Sequence, residues 1–228
     1  MGFGFSQNLV NNSSFEVYPT CPFDLSQFDL SDGWSSLINS PDYFSSCASS
    51  TVGVPNNVFG NQSPATGNSY AGLYTYSHQI ADYRELIGRQ LSGSLIPGYK
   101  YYVSMKVSLA DGSLFSSNNL GVSFAISPPS TLPYTPSNNS VIYSTSVIDN
   151  ATSWTTISGS FIADSAYQFI MVGNFFDDVN TDIDSNYTQN AHFLMAYYYI
   201  DDLCVSLDSL TCINALNANS QGEDLRLE

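Results

Sequence analysis

The amino-acid sequence predicts an all-β fold, an antiparallel β-sandwich, for this chain of 228 residues. Charged residues make up only 11% of it, which disfavours a coiled coil or a helical bundle with a charged surface. Tyr and Phe occur 16 and 14 times, and aromatic side chains favour strands. Several short runs alternate apolar and polar residues, and clusters of Gly, Pro, Asn and Ser separate them, as is typical of a sandwich.

Five runs with a period of two predict strands, in order along the chain. The first run places Ala71 and Leu73 on one face and Tyr74 and Tyr76 on the other. No alternation of strands with helices and no GxGxxG or P-loop motif accompanies the runs, which disfavours a nucleotide-binding α/β fold. The runs are 70–76, 101–109, 120–126, 169–175 and 196–205.

The segment that follows the first run allows two readings. Ile80, Tyr83, Arg84 and Ile87 have helical spacing, but a strand would place Tyr83, Glu85 and Ile87 on one face. We predict the strand, because the surrounding segments are strand-like.

The remaining stretches predict loops and termini. Stretches rich in Asn, Ser and Pro at 26–69 and 127–152 predict loops on a rigid scaffold, where binding residues are common. Residues 1–7 resemble the remnant of a signal peptide, and residues 207–228, which lack aromatics, predict a linker or tail. The predicted domain therefore spans 8–206.

The chain is strongly acidic, with 5 Lys and Arg against 20 Asp and Glu and a formal net charge of −15. Affinity for phosphate backbones depends on cationic contacts, so the charge argues against nucleic-acid binding and against docking on anionic lipid. No apolar run approaches the roughly 20 residues that span a bilayer. An acidic chain can attract cations, and calcium is the obvious candidate.

Four cysteines, Cys21, Cys47, Cys204 and Cys212, indicate an oxidising compartment. Cys204 and Cys212 are close in sequence and favour one disulfide, which would leave Cys21 with Cys47. All three connectivities stay open, because spacing alone does not decide them. The spacings match no zinc-finger pattern.

Signals of enzyme chemistry are weak. His78 and His192 are the only histidines, and neither lies in an HExxH motif; no GxSxG motif occurs. A pair of carboxylates for glycoside hydrolysis stays open, because such a pairing is spatial. We therefore predict a protein that is not an enzyme.

The acidic segment 177–184 offers side-chain oxygens at alternate positions, among them Asp178 and Asp182. Calcium takes six to eight oxygen ligands, and alternate side chains of one loop can converge on it. The segment matches an EF-hand loop poorly, because Ile183 stands where the turn glycine belongs. The alternative is a solvated acidic loop.

The aromatic side chains suggest sugar binding, because flat rings complement the apolar face of a pyranose while polar neighbours bind its hydroxyls. The alternative for any one ring is a place in the core. Tyr74 and Tyr76 are favoured as ligands, because they lie opposite Ala71 and Leu73 on one strand. The candidates are Trp34, Tyr43, Phe44, Tyr74, Tyr76, Tyr134 and Tyr197.

Several strings in the chain are those of a known family. NLV followed by NSSFE at 8–16, GNSYAGL at 67–73 and YIDDL at 199–203 resemble the start, middle and end of jelly-roll carbohydrate-binding modules attached to xylanases and cellulases. The resemblance covers roughly 8–206, and it rests on the order and spacing of the motifs. It implies a jelly-roll β-sandwich that binds polysaccharide.

A narrower likeness rests on the strings SPDYFSSC, VGVPNNVFGNQSP, YREL, VSLAD and YYYIDDLCV. These resemble a secreted module of Bacteroidetes surface proteins. The likeness implies a secreted or cell-surface location, as a module of a larger parent protein.

The resemblance to the jelly-roll modules also implies a structural calcium ion that joins the first and last strands. Glu16 matches the family's Glu in SFE, and Asp201 or Asp202 matches its Asp in IDD. A carboxylate from each terminal strand, with loop carbonyls, could form an oxygen cage. The alternative is that these carboxylates only accept hydrogen bonds at strand ends.

The chain departs from the family at the ligand site, since no position matches a ligand-binding tryptophan. Trp154 matches the strand-start tryptophan, which packs, whereas Trp34 lies in a predicted loop. We therefore expect ligand contacts from Tyr74, Tyr76 and Trp34, with polar contacts to hydroxyls from Tyr83, Arg84 and Glu85. An arrangement of Arg84 and Glu85 within the sheet is the alternative.

The predicted function is non-catalytic polysaccharide binding by a calcium-stabilised module. An adhesion or structural spacer domain without a glycan site is the second hypothesis, and a glycan hydrolase or lyase is the third. Exposed aromatics in a groove favour the first, buried aromatics the second, and two carboxylates facing each other in a cleft the third.

Overall fold

The computed structural model describes residues 7–49, 51–127, 135–185 and 191–217. Its two main sheets each contain five antiparallel strands and pack face to face, which confirms the predicted β-sandwich. Two short 3₁₀ helices, Phe28–Leu30 and Asp178–Asn180, and one α-helix, α1 (Ser209–Asn217), accompany them. The strands are β1 (Trp34–Ile38), β2 (Asp42–Ser45), β3 (Asn56–Asn57), β4 (Gly60–Asn61), β5 (Ser69–Ser77), β6 (Leu86–Gln90), β7 (Lys100–Leu109), β8 (Phe115–Ser117), β9 (Leu120–Ala125), β10 (Ile142–Tyr143), β11 (Thr155–Ile162), β12 (Phe169–Asn174), β13 (Ile183–Ser185) and β14 (Met195–Ser206).

The first sheet has the order β1-β6-β12-β9-β10 and the second has the order β11-β7-β14-β5-β2. Successive long strands alternate between the sheets, because β5, β7, β11 and β14 lie in the second sheet while β6, β9 and β12 lie in the first. Strands that are far apart in sequence therefore pair, as in a jelly roll. Two small two-stranded sheets, β3 with β4 and β8 with β13, lie outside the main sheets.

The five runs with a period of two are the strands β5, β7, β9, β12 and β14. Alternation predicts them because each buries one face in the core between the sheets. Val103 and Val107 of β7 and Ile200 of β14 pack there against Val122 and Val172 of the opposite sheet, and each is at most 3% exposed.

Four predicted segments differ from the structure. The stretch 26–69 contains β1, β2 and the β3–β4 pair, and 127–152 contains β10, so neither is all loop. The strand predicted over 80–87 begins only at Leu86. The predicted tail starts with the helix α1, which the disulfide from Cys212 fixes to β14.

Both predicted disulfides are present, Cys204–Cys212 and Cys21–Cys47, with Cα atoms 5.4 and 6.0 Å apart. The first links β14 to α1, and the second links the segment before the Phe28–Leu30 turn to the segment after β2. No helix among the described residues has the length and apolar character needed to cross a membrane.

Backbone hydrogen bonds join the N-terminal segment to the end of β14. The Leu9 N–H donates to the Val205 carbonyl at 2.8 Å, and the Leu203 N–H donates to the Ser13 carbonyl at 3.0 Å. The Asn8 side chain accepts from the Val205 N–H and donates to the Leu203 carbonyl. Hydrogen bonds between protein groups thus join the N-terminal segment of the sandwich to its last strand.

Candidate functional site

An aromatic layer covers the outer face of the second sheet. Phe59, from the turn between β3 and β4, stacks on Tyr197 of β14 with ring centroids 4.1 Å apart. The segment between β2 and β5 therefore folds back over the sheet and makes a second core there. The buried members of this layer include Phe44, Phe59, Tyr70, Tyr197 and Tyr199.

This burial corrects several of the predicted sugar-binding aromatics. Phe44 and Tyr197 are fully buried in the aromatic layer, and Tyr43 is fully buried between the sheets, where its hydroxyl donates to the Phe15 carbonyl at 2.7 Å. None of the three can contact a ligand at the surface. Tyr134 lies outside the described residues.

The prediction that Trp34 contacts the ligand is also wrong. It begins β1, is 3% exposed, and packs against Phe15 and Phe28 with ring centroids 5.0 and 6.0 Å away. Its indole N–H donates to the Asn12 carbonyl at 2.9 Å, which satisfies the polar atom of a buried ring.

The Arg84 side chain is fully buried and out of reach of a ligand at the surface. The prediction that it binds sugar hydroxyls is therefore wrong as well. Its guanidinium forms an ion pair with Asp178 at 2.9 Å. The same group donates to the carbonyls of Tyr83 and Phe176 and to the Thr181 hydroxyl. Its counter-ion is thus Asp178 and not the neighbouring glutamate. Arg84 links the segment before β6 to the segment after β12.

Glu85 is 1% exposed, so the prediction that it contacts hydroxyls directly is corrected too. Its carboxylate accepts from the Tyr74 N–H at 3.0 Å, from Ser40, and from the Tyr83 hydroxyl at 3.3 Å. Burial raises the pKa of Glu85 to about 7, and the nearby Asp42 carboxyl raises it in the same direction. The group holds two tyrosines in place from beneath.

Asp42 is the second buried carboxyl group under this surface, and it is 3% exposed. It accepts hydrogen bonds from the Tyr197 hydroxyl and from the Ser26 N–H. Burial raises its pKa to about 6.

A groove of about 230 Å³ opens above these carboxyl groups, and the partly exposed rings of Tyr74 and Tyr83 line it. The two rings meet edge to face with centroids 5.4 Å apart, and Tyr74 meets the buried Tyr197 ring in the same way at 5.3 Å. Their orientation is therefore fixed by packing from below, while their outer parts face the groove. The other lining residues are Ser77, Gln79, Ile80, Phe193, Leu194 and Met195.

Tyr76 lies two residues along β5 from Tyr74 but is not among the residues that line the groove. Its ring meets Phe115 edge to face at 5.6 Å, and its hydroxyl lies 3.5 Å from Nδ1 of His78. The structure thus separates two tyrosines that the alternation of β5 grouped together.

A second cavity of about 380 Å³ lies between the β3–β4 pair and the turn that follows β7. Sequence reasoning missed it, although an Asn-rich stretch with Gly60 and an Asp-Gly pair at 111–112 signals two tight turns. Its lining residues are Asn56, Asn57, Val58, Phe59, Gly60, Asn61, Asp111, Gly112 and His192.

The acidic segment does not gather its carboxylates around one point. Asp177 accepts from the Asn180 N–H as the cap of a 3₁₀ helix, Asp178 pairs with Arg84, and Asp182 accepts from the Asn118 amide at 3.0 Å. Within the described part of the chain, no three acidic, His or Cys side chains lie close enough to hold a metal ion. Asp178 and Asp182 are thus explained as partners of protein groups.

The predicted terminal calcium ligands lie around Thr66 and Gly67, in the loop before β5. Glu16 accepts from the N–H groups of Asn68 and Ser69, and a Cβ atom at Gly67 would collide with its carboxylate. The backbone there is shaped closely around this side chain.

Asp201 and Asp202 have different surroundings. Both oxygens of Asp201 accept backbone N–H groups, from Ala65, Thr66 and Asp202, so neither oxygen lacks a partner. Asp202 Oδ1 accepts from the Ser14 and Thr66 hydroxyls, but its Oδ2 is buried and has no hydrogen-bond partner among the described residues. A hard cation would fit Asp202, with Glu16 and nearby hydroxyl or carbonyl oxygens, better than Asp201.

Comparisons with known proteins return solved structures of similar shape. No protein-family model matches the chain, and no curated protein is significantly similar to it. The CBM22-1 xylan-binding domain of Paenibacillus barcinonensis Xyn10C superposes with a TM-score of 0.42 at 12% identity, over 88% of this chain and 94% of that domain.

Two larger proteins also match. The CBM22-1–GH10 modules of Clostridium thermocellum xylanase 10B, complexed with xylohexaose, give a TM-score of 0.44 at 16% identity over 87% of this chain and 28% of that one. The arabinose-bound α-L-arabinofuranosidase MgGH51 gives 0.47 at 13% identity, over 87% and 26%. This chain therefore spans about a quarter of their length. At such scores these proteins do not identify the ligand of this chain.

Proposed function

We propose that the protein is a non-catalytic glycan-binding module, and that a sugar chain binds in the groove between Tyr74 and Tyr83. The observation that carries the proposal is the pair itself: two partly exposed tyrosine rings, held edge to face at 5.4 Å, in a groove with polar groups at its side. Rings fixed before binding lose little conformational entropy when a ligand arrives.

The chemistry of the lining fits a sugar. Aromatic rings and Phe193 offer flat apolar surface for the C–H face of a pyranose, while the Ser77 hydroxyl and the Gln79 amide can exchange hydrogen bonds with its hydroxyl groups. None of the described residues that line the groove is Lys or Arg, which suits an uncharged polysaccharide.

The buried carboxyl groups favour binding over hydrolysis. A glycosidase needs two carboxyl groups that reach the glycosidic bond. Asp42 and Glu85 are 3% and 1% exposed and accept hydrogen bonds from protein groups, so they support the tyrosines from beneath and do not reach a substrate.

The test is a binding screen by affinity electrophoresis against neutral polysaccharides, namely xylan, mannan, β-glucan and arabinan, with Tyr83→Ala beside the wild type. We expect at least one polysaccharide to retard the wild type and Tyr83→Ala to lose most of that retardation. Tyr99→Ala, which removes a tyrosine that is 55% exposed and outside the groove, should behave as the wild type does. A folded protein that no polysaccharide retards would instead support an adhesion or spacer domain.

We further propose that a calcium ion binds at Asp202, with Glu16 as a second carboxylate ligand. The buried Oδ2 of Asp202, which has no hydrogen-bond partner in the described part of the chain, supports this, because burying a charged oxygen without a partner is costly. The ion would neutralise carboxylates on the two terminal segments and so stabilise their contact.

We also propose an extracellular or cell-surface location. Two disulfides support it, because disulfides persist in oxidising compartments.

A further inference from the structure

We infer that the cavity between the β3–β4 pair and the Asp111–Gly112 turn is a second sugar subsite, which hydrogen-bonds the same glycan chain that stacks on Tyr74 and Tyr83. The inference rests on the proposed function and extends it from one groove to a longer binding surface.

The cavity and the groove share a wall. His192 lines the cavity and the next residue, Phe193, lines the groove. Both donate their backbone N–H to the Gly112 carbonyl, at 3.0 and 2.9 Å, and the Phe193 ring meets Phe59 of the cavity at 5.4 Å. The cavity and the groove therefore adjoin at residues 192 and 193, and a glycan chain that extends past Phe193 could contact both.

The polar groups of the cavity suit sugar hydroxyls. Among the described residues, the Asp111 carboxylate accepts one N–H group, that of Asn61, at 3.2 Å, which leaves lone pairs for further donors. Asn56 accepts from the Asn61 amide through Oδ1, and in the described ranges its own NH₂ group has no acceptor, so that it can donate to a ligand. Asp111 can thus accept from hydroxyls and Asn56 can donate to them.

The cavity wall is held in place before any ligand binds. The Asn57 amide donates to the Tyr70 hydroxyl at 3.0 Å, and its oxygen accepts from the Tyr199 hydroxyl at 2.8 Å and from the Phe59 N–H. A Cβ atom at Gly60 would lie 2.6 Å from Asp111 Oδ1, so the hairpin approaches the carboxylate as only glycine allows. Such preorganisation lowers the entropic cost of binding.

The inference predicts that affinity depends on chain length. The experiment is isothermal titration of the full chain with two- to six-sugar oligosaccharides of xylan, cellulose and mannan, using Asn56→Ala and Asp111→Asn as variants. We expect the wild type to bind the best hexasaccharide about tenfold tighter than its trisaccharide. Each variant removes one or two hydrogen bonds, so hexasaccharide affinity should fall about three- to tenfold while trisaccharide affinity stays within about twofold.

Asn11→Ala, an exposed asparagine that lines neither cavity, is the matched control and should bind every length as the wild type does. Unchanged melting temperatures in the variants show that the fold is intact. Wild-type hexasaccharide affinity in both variants, or equal losses for both lengths, overturns the subsite while leaving the proposed function standing. If no oligosaccharide or polysaccharide binds, the proposed function falls and this inference falls with it.

Discussion

Glu85 fixes the groove from below while remaining out of reach of solvent. Its carboxylate contacts the backbone of Tyr74 and the hydroxyl of Tyr83, the two residues whose rings line the groove. The Asp42 charge lies near enough to raise the pKa of Glu85 further. A pair of buried acids thus supports an aromatic surface. Burial favours the protonated form of both carboxyl groups.

This pair makes stability depend on pH. The pKa of Glu85 rises from an ordinary 4.5 to about 7, and that of Asp42 rises from 3.8 to about 6. Between the ordinary and the raised pKa of each group, the folded state keeps a proton that the unfolded chain has released. The free energy of unfolding therefore falls as pH rises through that interval. The stabilisation is complete below about pH 4, decreases progressively as pH rises from there, and is gone above about pH 7, with about 3 kcal/mol attributable to Glu85.

We therefore expect the free energy of unfolding in urea to be lower at pH 8 than at pH 5, and Glu85→Gln to reduce that difference by about half or more. Asp149→Asn, at an exposed position, should keep the wild-type difference. A Glu85→Gln protein with the full wild-type pH dependence would contradict the buried-acid explanation.

At the scale of elements, Arg84 and Asp178 connect the segment before β6 with the 3₁₀ helix after β12. The connection is reinforced by backbone groups, because the Asp82 N–H donates to the Asp178 carboxylate at 2.9 Å and the Asp178 N–H donates to the Asp82 carboxylate at 2.8 Å. The fully buried guanidinium needs this counter-ion.

Asp178→Asn should therefore destabilise the protein by about 2–3 kcal/mol, because it leaves a buried charge without its partner. The figure lies at the lower end for a buried pair, since the Asp178 side chain is 27% exposed. Urea unfolding at one pH measures it, with Asp182→Asn as the control, because Asp182 accepts from an uncharged Asn118 amide. Equal losses in the two variants would show that the ion pair contributes nothing beyond a hydrogen bond.

Sequence pattern predicted five of the six described strands that have six or more residues, and it missed β11 and the short strands. β5, β7, β9, β12 and β14 alternate over six residues or more, because each buries a whole face in the core. β1 buries only its two end residues, and β3, β4 and β10 have two residues each. Such strands form through pairing with distant partners, so local pattern carries too little information to predict them.

The candidate site was predictable only in part for the same reason. Alternation along β5 predicted Tyr74 and Tyr76 as ligand contacts, and of these two Tyr74 lines the groove, beside Tyr83. It could not distinguish them from Tyr197, which is buried because a distant hairpin places Phe59 over it. The second cavity depends on that same hairpin and on a turn about 50 residues further on.

At the scale of the whole molecule, the N-terminal segment meets the last strand of the sandwich at the end of β14. Hydrogen bonds from Leu9 and Leu203 already join them, and the loop at Thr66 and Gly67 contacts both the Glu16 and the Asp202 carboxylates. A cation at Asp202 would add to this junction, and a net charge of −15 would favour its binding.

We expect EDTA to lower the melting temperature of calcium-loaded protein by about 5 °C or more, as linkage predicts for a site near saturation. Asp202→Asn should remove most of that response, and asparagine tolerates the positive φ of 50° at this position. Asp182→Asn should keep the response. Melting temperatures that are identical with calcium and with EDTA would contradict the proposed ion.

The measurement that tests the central claim most directly compares two tyrosines of one strand. Tyr74 lines the groove, whereas Tyr76, two residues further along β5, is also partly exposed but lies outside it. Isothermal titration with the polysaccharide that the wild type binds should show Tyr74→Ala weakening affinity about tenfold or more, as truncation of a central aromatic contact does, with Tyr76→Ala within about twofold of wild type. Equal losses in both variants, or a loss confined to Tyr76→Ala, would contradict the groove as the glycan site.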